Sequence, residues 1–149
     1  RLQQARMKYA LGAAAMVAQD WNKALDYFAE ALVLLHGSDE ELASACVARS
    51  LDAYLRMPDV VKFFENPVVS SAVESRKNNP EAAIPDSRMK SRPVPVKEAA
   101  ALYRLHELMF PDRNLPAKYD GFAVSYKHPA AVAPAKAPDQ APAQPQKKQ

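Results

Sequence analysis

The chain has 149 residues, 48% of them hydrophobic, with three glycines and thirteen prolines; that length supports one compact domain and argues against a second. A formal net charge of +3 falls well short of the dense Lys/Arg footprint of a dedicated nucleic-acid binder. No run reaches the ~20 apolar residues that cross a bilayer, and the single cysteine, Cys46, excludes an internal disulfide and fits a small buried side chain in a reducing compartment.

Charge and proline are unevenly spread. Residues 1–77 carry 9 basic and 10 acidic side chains, whereas residues 78–149 carry 11 and 7, and the prolines fall after Met57. This asymmetry predicts a helical front half and an irregular back half, with any anionic contact made by the latter. Arg1 in first place is expected of a processed or truncated product, and the expected compartment is the mitochondrial matrix or the cytoplasm.

From Leu2 to Gln19, Met7, Leu11, Ala14, Ala15 and Ala18 recur three and four apart and predict a helix with that apolar face. Asp20 offers an N-cap for a second helix, whose period runs through Trp21, Ala24, Leu25, Phe28, Ala31, Leu32 and Leu35. Gly37 suits its end. Ser38-Asp39-Glu40-Glu41 has the form of a capping box, so a third helix is expected to start near Ser38 and to stop near Met57, ahead of Pro58. Pro58 and Pro67 each suit the first turn of a short helix, the first through Glu65 and the second to about Lys77.

Residues 78–93 combine proline and charge with little apolar content and are expected to form an extended linker without a packed element. Helical period returns from Val94 to Phe110, and Pro111 stops it. In 111–128, the turn signal Asp120-Gly121 precedes alternating Phe122, Val124 and Tyr126, which predicts a short strand or an extended docking segment. The Ala/Pro/Gln/Lys-rich stretch 129–149 is low-complexity and lacks the apolar content to fold alone.

The stretch Leu11 to Leu35, with Leu11, Gly12, Ala15, Ala24, Phe28 and Ala31 at the marked places, resembles one tetratricopeptide repeat. The physical logic is that Gly12 and Ala24 lack bulk where two antiparallel helices approach, and Phe28 fills the space beside them. A second repeat does not match, since Pro58 and Lys62 stand where Ala and Phe belong. Such a resemblance implies an all-α fold: a helical hairpin in residues 1–77, extended by further helices into a small bundle or short solenoid that binds protein. The clamp that some members use for a C-terminal carboxylate is not expected, because its places hold Tyr9 and Ala13. Asp20 to Ala31 and the segment from Ala48 to Leu55 also resemble, more loosely, helical domains that bind the tails of trafficking complexes.

Glycine-rich phosphate loops, paired cysteines, HExxH and GxSxG are all missing from the sequence, so neither catalysis nor a cofactor or metal is expected. His36, His106 and His128 are expected to cap helices or face solvent, and Glu98 and Glu107 to form a solvated face. The reading that follows is a non-catalytic scaffold or adaptor subunit of a larger intracellular assembly, without a small-molecule substrate. Its candidate partner-binding residues are Trp21, Tyr27, Tyr54, Lys118, Tyr119, Phe122, Tyr126 and Lys127, the last five interleaving aromatics and bases. The alternative is an RNA-contacting accessory subunit of a ribonucleoprotein such as an organellar ribosome.

Overall fold

A computed structural model describes residues 1–126. Among them every regular element is helical: α1 Leu2–Val17, α2 Trp21–Leu35, α3 Glu40–Arg56, α4 Pro58–Phe64, α5 Pro67–Ser75, α6 Asp86–Lys90, α7 Val94–Met109, a 3-10 turn Ala117–Tyr119, and α8 Asp120–Val124. None of these helices is long and apolar enough to cross a membrane.

Local signals set most of the boundaries. The Asp20 carboxylate accepts the Lys23 amide and starts α2, and Asn66 accepts from Val68 and Val69 to start α5, whose first residue is proline. His36 and Gly37 both take positive φ, 47° and 76°, and close α2 in left-handed geometry. The cap of α3 is Asp39 and not Ser38: the Asp39 carboxylate accepts the Leu42 amide at 2.9 Å, while the Ser38 amide turns back to the Leu35 carbonyl at 2.8 Å. Ser38 is thus spent on ending one helix, and its neighbour begins the next.

Descending contact pairs, Lys8 with Glu30 and Gly12 with Phe28, show that α1 and α2 run antiparallel. Their interface is built on small residues. Ala5, Gly12 and Ala15 of α1 meet Ala24, Phe28 and Ala31 of α2, with Leu35, Ala43, Cys46 and Phe110 completing this part of the core. The expected apolar face of α1 is corrected accordingly: Met7 is 60% exposed and Leu11 39%. A ring as large as Phe28 fits between two helices only where the opposite wall is glycine and alanine, so Met7 and Leu11 point outward while Tyr9 packs at the side of the ring, 5.6 Å between centroids.

The core continues into the back half. Val47, Leu51, Tyr54 and Val60 pack with Val96, Ala99 and Tyr103 of α7 and with Tyr119 and Phe122, so the front hairpin and the later helices share one interior. The expected strand is corrected: 117–124 is helical, and its aromatic residues enter the core. Gly121 permits this, since a Cβ there would stand 2.8 Å from the Phe64 ring. The Tyr119 hydroxyl donates to Asp52 at 2.7 Å, and that buried tyrosine ties the turn to α3.

The linker expectation for 78–93 is corrected as well. It contains α6, and Ile84 is buried with Val69 and Val124 while its amide donates to the Val124 carbonyl at 2.9 Å. Arg92 donates to the Met89 and Ser125 carbonyls, fastening the end of the segment to α8. The segment at 129–149, with Lys127 and His128 before it, lies outside the described residues.

Candidate docking groove

Helices α2 and α7 flank α3. On α2, Leu25, Ala29 and Leu32 are spaced i, i+4, i+7; on α7, Glu98, Ala101, Leu102 and Leu105 are spaced i, i+3, i+4, i+7. Both spacings place their residues in one stripe per helix. The two stripes face each other across a trough of about 880 Å³, with Ser50 and Tyr54 of α3 as its floor and Asn22 and Asp26 on its α2 rim. Leu25, Leu32 and Leu102 are half-buried against the core below, and Leu105 remains 43% exposed.

Two carboxylates sit on opposite walls, Asp26 on α2 and Glu98 on α7, and among the described residues no cation lines the trough. Glu98 accepts the Tyr54 hydroxyl at 3.3 Å. Burial and then the neighbouring Glu98 charge push the Tyr54 phenol up to about 12, so this donor keeps its proton.

A second depression lies on the other side of α3. Arg49, Asp52 and Arg56 project roughly opposite to Ser50 and Tyr54, as the ~100° per residue of an α-helix requires. With Trp21, Lys118, Met16, Val17 and Leu55 they bound a cleft of about 660 Å³. Three cations here meet one carboxylate. Asp52 takes Lys118 at 3.2 Å and Arg49 at 3.9 Å, and the Arg56 guanidinium lies 5.8 Å from the Trp21 ring centre.

The sequence-predicted contact residues separate in space. Tyr54 lies in the trough, Trp21 and Lys118 share the cationic cleft, and Tyr27 packs beneath Lys8, whose nitrogen is 5.5 Å from its ring centre. Tyr126 is half-buried, with Arg104 at 5.8 Å. Tyr119 and Phe122 are corrected from contact to core residues: only 2% and 0% of their surfaces are exposed, because the helical backbone from 117 turns both rings inward. Leu25, Asp26, Leu102, Leu105, Arg49 and Arg56 were not singled out. Their periodic leucines read equally well as core, and among the described residues no helix lies over α3 between α2 and α7, which leaves them at a surface.

Cys46 and His106 are both buried. Burial, followed by the Asp39 charge, pushes the Cys46 thiol up to about 11. His106 is a core residue, which corrects its expected surface or capping role; burial lowers its pKa, its Nε2 lies 2.7 Å from Ser44 Oγ, and the Phe110 ring packs on it at 5.0 Å. No protein-family model matches the chain, and neither the curated proteins nor the solved structures contain a significant match.

Proposed function

We propose that this protein is a non-catalytic scaffold or adaptor subunit that binds a protein partner in the α2/α3/α7 trough. The observation that carries this reading is the pair of apolar stripes facing each other over α3, wide enough to leave Leu105 and Leu102 accessible. An amphipathic helix laid between two such stripes meets them at i, i+3, i+4 and i+7 anchors. The resemblance of Leu11–Leu35 to a tetratricopeptide repeat supports the same reading, since Gly12 and Phe28 form a close antiparallel contact of the kind that repeat requires.

The test is affinity capture of tagged wild-type protein and a Leu105→Asp variant from native lysate, with mass spectrometry. Leu105 is 43% exposed, so the variant should keep its fold, which circular dichroism checks. Partners that disappear with Leu105→Asp are trough partners; an unchanged set counts against the trough.

The cationic cleft favours a second reading, an RNA-contacting subunit of a ribonucleoprotein, through Arg49, Arg56 and Lys118 beside Trp21. Salt separates the two. Phosphate contacts weaken steeply with ionic strength and are lost with ribonuclease, whereas an apolar trough changes little.

A further inference from the structure

The trough's polar groups say more about its occupant than its leucines do. Resting on the docking reading above, we infer that the partner segment is a basic amphipathic helix, with apolar side chains on one stripe and Lys or Arg on both flanks. The α2 and α7 stripes each span seven residue steps, about 10 Å, which matches about two turns of a helix. Asp26 and Glu98 stand on opposite walls, and among the described residues neither has an ion pair.

The charge arrangement selects between occupants. A second copy docking symmetrically would bring its own Asp26 and Glu98 to the same strip, placing four carboxylates around one apolar seam. An acidic or neutral helix would bury its leucines but leave both rim carboxylates opposed or unpaired. A helix with cations flanking its leucines satisfies both walls at once, and Ser50 and Tyr54 on the floor are small or already bonded to Glu98.

The experiment uses the full chain and three fluorescent synthetic peptides of about 14 residues, long enough to form a helix on binding. All carry the same leucine stripe, flanked by Lys, Gln or Glu. Anisotropy titrations should show the Lys peptide binding about tenfold tighter than the Glu peptide, as two rim charge pairs would supply. With Asp26→Lys and Glu98→Lys combined, the order should reverse, and raised salt should narrow the difference. Equal binding of all three peptides would overturn the basic partner and keep the docking trough. No binding by any peptide would overturn both. A Lys preference that survives the charge reversal would place the contact elsewhere and overturn the inference. Sedimentation showing a dimer that Leu105→Asp dissociates would overturn it in favour of a second copy.

Discussion

Gly12 of α1 faces the ring of Phe28 so closely that a Cβ at position 12 would stand 2.5 Å from Phe28 Cε1. Phe28 is wholly buried, and the helix crossing is set by this pair. Gly12→Ala improves helix propensity by up to about 1 kcal/mol, but it drives a methyl into a ring that has no space to retreat. A net loss of about 1–3 kcal/mol is expected from overpacking, and Gly12→Leu should exceed it. Phe28→Ala should lose about 3–5 kcal/mol through the cavity it leaves. Because the two residues touch, Gly12→Ala with Phe28→Leu should be less damaging than the sum of Gly12→Ala and Phe28→Leu made singly. Urea unfolding of these three variants checks this, and strict additivity would refute the contact.

Tyr119 joins the 3-10 turn to α3 through its hydroxyl, which reaches Asp52 at 2.7 Å and the Ala48 carbonyl at 3.1 Å. Tyr119→Phe keeps the ring and removes those bonds, for an expected loss of about 1–2 kcal/mol. Lys118 should still hold Asp52, which moderates the effect. A thermal melt of Tyr119→Phe indistinguishable from wild type would mean that the hydroxyl carries no stability.

Stability should fall on acidification through His106. Burial lowers its folded pKa below the ordinary 6.5, so the unfolded chain binds the extra proton first. Below about pH 6.5 the unfolded state therefore gains protons that the folded state does not, and stability drops until the folded pKa is reached. His106→Gln, neutral throughout, should flatten this limb of a urea-midpoint profile between pH 5 and 8 relative to wild type.

The alkaline limb has the opposite sign. Tyr54, Tyr103 and Tyr119 all have raised pKa values, chiefly from burial, so their folded forms hold protons that the unfolded chain releases near 10. Their contribution is complete below about pH 10 and is lost as pH rises above it. Tyr54→Phe with Tyr119→Phe should flatten the fall of the urea midpoint above about pH 10 relative to wild type.

Arg92 fastens the end of the 78–93 segment through the Met89 and Ser125 carbonyls. Arg92→Ala should lose about 1.5–3 kcal/mol, the range for hydrogen bonds made by a charged group. Limited proteolysis should then cut first between α5 and α7. Unaltered cleavage kinetics would show that Ile84 alone holds the segment.

Short-range chemistry made much of this architecture legible from the chain alone. Asp20, Pro58, Pro67 and Pro111 act within one turn of themselves, and the observed ends of α2, α4, α5 and α7 fall within two residues of where those signals put them. Even so, the cap of α3 moved by one residue, because Ser38 and Asp39 compete for the same task.

Local signals in the chain sufficed for the helical character of residues 1–77 and 94–110 and for most of the starts and stops there, whereas α6 and α8 were not legible from it. Which faces the helices bury depended on what packs against them. In α1, Ala15 of the expected face is buried, but Met7 and Leu11 gave way to Ala5 and Gly12, because Phe28 needs a close, smooth wall and not a greasy one. Residues 117–124 became helical for the same class of reason: alternation favours a strand only when an edge is present to receive it, and here the space beside Phe64 and Asp52 accepted two inward-turned rings instead. The trough over α3 is likewise a property of packing, since the leucines that line it carry the same periodicity as leucines in the core, and what distinguishes them is that no helix among the described residues lies on top.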